Sequence, residues 1–462
     1  MSPKPARRCG LLLVAMTALL VAGAATPAPA AAAARGLPSS RLELGLGSGP
    51  DQLGWMRASG VPWKYRYLYL AGGVNTSSSW VHWQDAAAPP GQFAADYMSA
   101  SGAAGYLPFL VCYLLLQSSP ASGADEAAKD LGNLDNATTM NAYFGSFKLL
   151  MQRAGAYGKP VVVLVEPDFW GYMQMRARSL GSATADAVPA AVASSGFADV
   201  AGYPNTVAGF GRALLHLRDA YAPSAVMVVD AAPWSSGTDV DTSTSPGLDV
   251  AAEAGRTATF LASTGAWDAV GTDPDDHDAG WWVATGRTNA SFTHSWDATN
   301  TRPPHFHRWE AWIGRIHTLL GLPAIAWQTP VGNSTVTNAC DQASGSGHYR
   351  DNVAEYFLAH PAELAGAGLV AVLFGAGNAC QTTPYNDGNV LRDLARRYYA
   401  GAPAVLPAAA AAGTPTPTAS ATPPASPSPP AAAAAALLVL VVAGAGMALW
   451  QGEKLGNLLS RR

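Results

Sequence analysis

The spacing of apolar and polar positions changes repeatedly along the chain. Short apolar runs recur at Leu42–Leu46, Tyr65–Ala71, Tyr106–Leu115, Val161–Val165, Ala225–Val229, Trp267–Gly271, Ala324–Trp327 and Leu369–Phe374. Continuous runs of this length suit strands buried on both faces. Between them, Thr138–Tyr157, Thr206–Tyr221, Trp309–Leu319 and Asp351–Leu358 read as helices. Strands alternating with helices require parallel pairing, and eight such units within residues 36–401 predict an α/β fold, a closed (β/α)8 barrel with enlarged loops after its strands. A doubly wound open sheet is the alternative. Neither GxGxxG nor GxxxxGK[ST] follows the first run, which favours the barrel.

Both ends depart from this pattern. Residues 1–35 begin with Lys4, Arg7 and Arg8, continue through an apolar stretch from Leu11 to Ala24 and finish in small residues, the order of an export signal. Residues 402–430, rich in Pro, Thr, Ser and Ala, predict an extended linker. Residues 431–450 are apolar over about 20 positions, the length of a membrane-spanning helix. Lys454, Arg461 and Arg462 in the tail 451–462 place that tail in the cytoplasm and the barrel outside, on the cell surface. The rival reading is an Ala-rich helix that never inserts.

Composition narrows the function classes. A chain of 462 residues, 49% hydrophobic and 13% charged, carries enough apolar surface for a large core. A net charge of −4, with no Lys/Arg cluster interleaved by aromatics, argues against nucleic acid as a partner. Nothing implies an organic cofactor. Of four cysteines, Cys9 leaves with the signal and Cys112 reads as a buried thiol. Cys340 and Cys380 lie in polar loops, where export permits a disulfide between them. No CxxC pair or His/Cys cluster marks a zinc site.

In a barrel of this kind, the carboxyl ends of the strands and the loops after them form the active face. Strand three leads to Gln117, strand four to Glu166, Asp168 and Trp170, and strand five to Asp230 and Trp234. Strand six runs into "GTDPDDHDAGWW", with Asp273, Asp275, Asp276, His277, Asp278, Trp281 and Trp282. Strand seven delivers Trp327, Gln328 and Asn333, and "HYRDN" supplies His348, Arg350 and Asp351. Aromatic faces stack on the apolar side of a sugar ring, while carboxylates and amides bind its hydroxyls. Cleaving a glycosidic bond needs two carboxyl groups, one protonated and one ionised. Candidate catalytic residues are therefore Glu166, Asp168, Asp230 and Asp273. Candidate sugar ligands are Gln117, Trp170, Trp234, Trp281, Trp327, Gln328, Asn333, His348 and Asp351.

Plainer roles stand beside these. Glu166 at a strand end would also pair with an arginine across the mouth, and Asp168 would also cap the next helix. Asp275, Asp276 and Asp278 fit a solvated acidic turn; they resemble a calcium loop, but the EF-hand spacing and its final Glu are absent. One of Trp281 and Trp282 is expected to pack in the core, and His305 and His307 to be structural. Asp351 or Asn352 would cap a helix, contact ligand, or do both.

Two resemblances follow from these residues. "VVVLVEPDFW" is similar to the Glu-Pro-Asp strand end of family 6 glycoside hydrolases, and "VMVVDAAPW" resembles that family's Tyr-Leu-Asp-Ala-Gly segment. The likeness spans Pro160 to Trp234 and implies action on a β-1,4-glucan, although the family's Asp-Arg-Asp-Cys stretch has no counterpart. Glu166 before Pro167 also resembles the acid/base of the large retaining barrel clan, whose nucleophile is a Glu ending strand seven. Gln328 stands there instead, and an amide is no covalent nucleophile.

The sequence thus predicts an exported, membrane-anchored glycoside hydrolase acting on a polysaccharide or oligosaccharide, with Glu166 as leading acid/base and Asp230 or Asp273 as its partner. The rival from another class is a carbohydrate-binding surface protein on a barrel without catalysis. A deacetylase or lyase stands further back, because only the region around His277 offers metal-binding side chains.

Overall fold

The first strand closes the sheet: β1 (Glu43–Gly47) pairs in parallel with both β2 (Tyr65–Ala71) and β8 (Leu369–Phe374). Between them run β3 (Leu107–Tyr113), β4 (Val162–Val165), β5 (Val226–Asp230), β6 (Ala269–Thr272) and β7 (Ala324–Thr329), each parallel to its neighbours. This is an eight-stranded closed barrel, seen in a computed structural model that describes residues 37, 39–84, 87–275, 277–284, 294–335, 349–375 and 382–407. The helices fall between consecutive strands: α1 (Leu53–Ala58), α2 (Gln92–Ala103), α3 (Glu126–Leu134) and α4 (Ala137–Tyr157), then α5 (Pro167–Ser179), α6 (Val207–Tyr221) and α7 (Val250–Thr264). The remainder are α8 (Ala279–Ala284), α9 (Phe306–Leu320), α10 (Val353–Ala359), α11 (Pro361–Gly366) and α12 (Val390–Ala400).

Strand alternation sorts the core into two layers. Tyr67, Phe109, Val111, Leu164, Val228 and Ile325 fill the barrel interior. Cys112, Val163, Val165 and Val229 face outward against helical residues such as Phe144 and Phe210. Each fully buried side chain of this size contributes about 1.5–3 kcal/mol. Phe109→Ala would open a cavity in the inner layer at a cost of about 3–5 kcal/mol.

Local signals set the helix starts. Asn136 accepts from Thr139 N to cap α4, Thr206 accepts from Gly209 N to cap α6, and Asp249 does the same for α7 from Ala252 N. His305 Nδ1 accepts from Arg308 N, so α9 begins before the expected Trp309. The expected strand at Trp267 begins instead at Ala269. Trp267 is apolar because its ring packs on Trp170, and its Nε1 donates to Thr264.

Residues at the start of the expected linker belong to the fold: Leu42 N donates to Ala404 O and Leu406 N to Ser40 O. Among the described residues no helix is long and apolar enough to cross a membrane. The expected leader (1–35), the remainder of the linker, the apolar segment 431–450, the tail, Cys340 and Cys380 lie outside the described residues. Cys112 is a buried free thiol.

Candidate active site

Asp230 is the last residue of β5, and it continues the inward series of Val226 and Val228. It lies opposite Gly271 of β6, so Asp273, two residues on, stands at the next inner-face position of the neighbouring strand. Gly271 makes room: a Cβ there would lie 3.2 Å from Asp230 Oδ1 and 2.7 Å from Leu164 Cδ1. Asp230 is 2% exposed, and Trp327 Nε1 donates to its Oδ1 over 2.8 Å. Burial first, and the Asp273 charge second, hold its carboxyl well above the usual carboxylate range, against the lowering effect of the indole bond. Asp273 itself is half-buried.

Tyr69 occupies the centre of the mouth. Its ring lies 5.8 Å from that of Trp327 and 6.4 Å from that of Tyr113, and its hydroxyl donates to Gln328 Oε1. Burial pushes the phenol up, and the charges of Asp168, Asp273 and Asp230 add to it.

The β3 and β4 side adds acids that strand-end reasoning missed. Glu126 accepts from Tyr113 OH, and Asp130, one helical turn on in α3, is buried with Oδ1 lacking any hydrogen-bond partner. Burial, then Glu126, Glu166 and Asp168, raise Asp130 well above its ordinary value. The four-residue spacing of Glu126 and Asp130 on one helix face was the available signal. Across from them, half-buried Trp234 packs on Tyr172 at 4.8 Å between ring centroids. Asp241, from the β5–α7 loop, is likewise buried with Oδ1 unpartnered, and lies within the field of Asp273 and Asp275.

The structure places the Glu166 carboxylate elsewhere. It accepts from Leu114 N at 3.1 and 3.2 Å, from Leu115 N at 3.2 Å and from Tyr143 OH of α4 at 2.8 Å. Its backbone is left-handed, with φ of 47°, and that turn swings the side chain from the mouth towards the helical layer. No arginine contacts it among the described residues. Burial raises it to about 7 despite these three donors. Gln328, near the end of β7, is another non-glycine residue in the left-handed region, with φ of 49°. Non-glycine residues in this region cost about 1–3 kcal/mol each and persist where their surroundings over-determine them.

Trp170 is not at the mouth. It is 1% exposed, donates from Nε1 to Val165 O and packs against Phe169, Phe210 and Trp267 in the outer layer. Trp281 is buried with its ring 3.7 Å from that of His277. Asn333 donates to Asp387 O and accepts from Thr335, as a brace between loops. Asp351 accepts from Val353 N, capping α10, and from Ala279 N; Asp278 accepts from Gly332 N and Thr382 N. These two buried acids knot the loops after β6, β7 and β8 together. Asp275 binds His294 and Trp282 Nε1 and so is not a solvated turn residue. Gln117 is half-buried after β3, with its backbone carbonyl against Gly73. Asp276 and His348 lie outside the described residues.

Among the described residues one group of His and acid ligand atoms is close enough to hold a metal ion: His307, Glu310 and Glu363. It shares no residue with the mouth.

No protein-family model and no curated protein matches this chain. Structural neighbours include glycoside hydrolases. A modular endo-β-1,4-mannanase of glycoside hydrolase family 26 from Cellulomonas fimi is 12% identical, with 78% of this chain and 71% of that one covered at a TM-score of 0.45. A β-mannanase from a symbiotic protist of the termite Reticulitermes speratus is 11% identical over 79% of this chain and 89% of its own, with a TM-score of 0.41. A family 113 β-1,4-mannanase is 8% identical over 77% and 98%, with a TM-score of 0.39. These likenesses place the chain in no family and say nothing of which of its residues act.

Proposed function

We propose that this protein hydrolyses a glycosidic bond, with Asp230 as proton donor and Asp273 as its ionised partner. The observation that carries the reading is the placing of these two acids at neighbouring inner strand ends, the first raised by its burial and then by the charge of the second. A raised carboxyl beside a second carboxylate is the arrangement general-acid cleavage uses. The charge of Asp168 also raises the Tyr69 phenol, which makes Asp168 the alternative partner. Tyr69 and Trp234, both half-buried, supply aromatic surface.

In this reading Glu166 shapes the β3–β4 corner and transfers no proton, in contrast to the expectation from sequence. The test is release of reducing sugar from a polysaccharide panel by the full chain and by Asp230→Asn, Asp273→Asn and Glu166→Gln. Loss of release in the two aspartate variants alone supports the pair. Loss in Glu166→Gln alone, with the fold intact, returns the role to Glu166.

A second reading, a glycan-binding barrel that does not hydrolyse, draws on Gln328 standing where a strand-seven nucleophile would stand and on the full engagement of Glu166. It predicts that glycan binds and is never cut. We also propose that the barrel works outside the cell, tethered through 431–450. Protease treatment of intact cells that removes the barrel supports this, and protection of the barrel counts against it.

A further inference from the structure

The chain carries one spacing twice, in "HRWE" at His307 to Glu310 and in "HPAE" at His360 to Glu363. In the first, positions three apart share a helix face on α9. The fold brings the two segments together in the helical layer. His307 Nε2 lies 3.4 Å from Glu363 Oε2, and His360 Nδ1 lies 3.3 Å from Glu363 Oε1. One ligand atom from each of His307, Glu310 and Glu363 lies within 4.8 Å of the others.

Glu310 distinguishes this cluster from a surface ion pair. It is 8% exposed, and its Oε1 is buried with no hydrogen-bond partner. Among the described residues no Lys or Arg pairs with Glu310 or Glu363. A buried carboxylate oxygen without a donor, beside a second carboxylate, carries a desolvation cost that a cation would offset. The surroundings are arranged as a support. Tyr356 OH donates to Glu363 Oε2 at 2.8 Å and accepts from Asn300 Nδ2 at 2.7 Å, and the Tyr356 ring stacks on His360. Such outer contacts fix the orientation of metal ligands.

We propose that His307, Glu310 and Glu363 bind one divalent transition-metal ion of the zinc class, joining α9 to α11. One imidazole and two carboxylates suit Zn²⁺, and three protein ligands leave a fourth position for water. His360 and Tyr356 hold Glu363 in place. The site is independent of the hydrolytic reading, since no mouth residue takes part.

The experiment is titration of the full chain, stripped by chelator, with Zn²⁺ alone, followed by calorimetry and by metal analysis after gel filtration. The expected result is one retained equivalent and a rise in Tm with zinc. His307→Ala and Glu310→Gln should each weaken binding by at least the about 10–100-fold seen for residues that merely support a metal. His307 is more than half exposed, so its removal leaves folding intact. Glu310→Gln removes a buried carboxyl whose Oε1 lacks a donor, so without metal it should melt no lower than the parent. Absence of saturable binding, or binding unchanged in both variants, would overturn the proposal.

Discussion

Trp327 Nε1 donates to Asp230 Oδ1 over 2.8 Å and ties the inner face of β7 to the end of β5. The bond favours the ionised carboxylate, while burial and Asp273 favour the protonated one and prevail. Trp327→Phe removes the only one of these influences that lowers the pKa of Asp230. The basic limb of the pH dependence of kcat/KM should therefore move to higher pH, and kcat should fall about tenfold as the acid loses its anchor. A limb that stays in place would separate Asp230 from proton donation.

Asp273→Asn acts in the opposite sense. Without the neighbouring charge Asp230 ionises more readily, so the basic limb of any residual activity should move to lower pH. As loss of the partner carboxylate, the change should also cost about 10²–10⁴ in kcat. A pH–rate profile together with kcat at the optimum checks both. Full activity in this variant would point to Asp168 as the partner.

Glu166 should matter for stability more than for rate. Its folded value of about 7 lies above the ordinary 4.5, so the folded chain holds this proton more tightly than the unfolded chain does. Its contribution is complete below about pH 4.5 and is lost as pH rises to about 7, because over that window the unfolded state binds fewer protons. Glu166→Gln abolishes this term and places an amide among three donors, at a cost of about 1–3 kcal/mol at low pH. Urea unfolding at several pH values should show the variant's deficit shrinking between pH 4.5 and 7. A deficit independent of pH would contradict this.

The barrel was legible because most of its strands are short apolar runs, and β2 and β8 fall on their predicted residues. Where Trp267 misled, apolarity reported packing against Trp170 and not a strand. The inward aim of Asp230 follows from counting by twos from Val226. Glu166 shows the limit of that counting: a residue before proline is expected to be extended, and nothing in the sequence announces a left-handed turn there. Trp170 next to an acid looked like a sugar platform, yet it sits on α5 among other rings, where a single Trp carries no mark of direction. Glu126 and Asp130 were readable from their spacing, but only once α3 was known to stand against Tyr113 of β3.

The loop knot gives a stability test. A Cβ at Gly332 would lie 2.6 Å from Asp351 Cβ and 2.9 Å from Asp278 Oδ1, so Gly332→Ala forces apart the acids that hold three loops. The expected loss is about 2–4 kcal/mol, with hydrogen exchange accelerated first at Ala279, Gly332 and Thr382, whose amides those acids accept. Asp278→Asn should loosen Gly332 and Thr382, the two amides that carboxylate accepts. If only one loop loosens, the loops are held independently.

Trp234 can be moved without touching an acid. A Cβ at Gly171 on α5 would stand 2.6 Å from Trp234 Cη2 and 2.9 Å from its Cζ3, too close for the indole to stay in place. Gly171→Ala therefore pushes the ring off Tyr172 while Asp230, Asp273 and Trp327 keep their contacts. If Trp234 stacks on substrate in ground state and transition state alike, KM should rise several-fold with kcat within a factor of about two, the signature of lost uniform binding. Trp234→Ala should repeat the pattern more strongly. A fall in kcat at unchanged KM in both variants would instead tie the Tyr172–Trp234 pair to the geometry of the reacting acids.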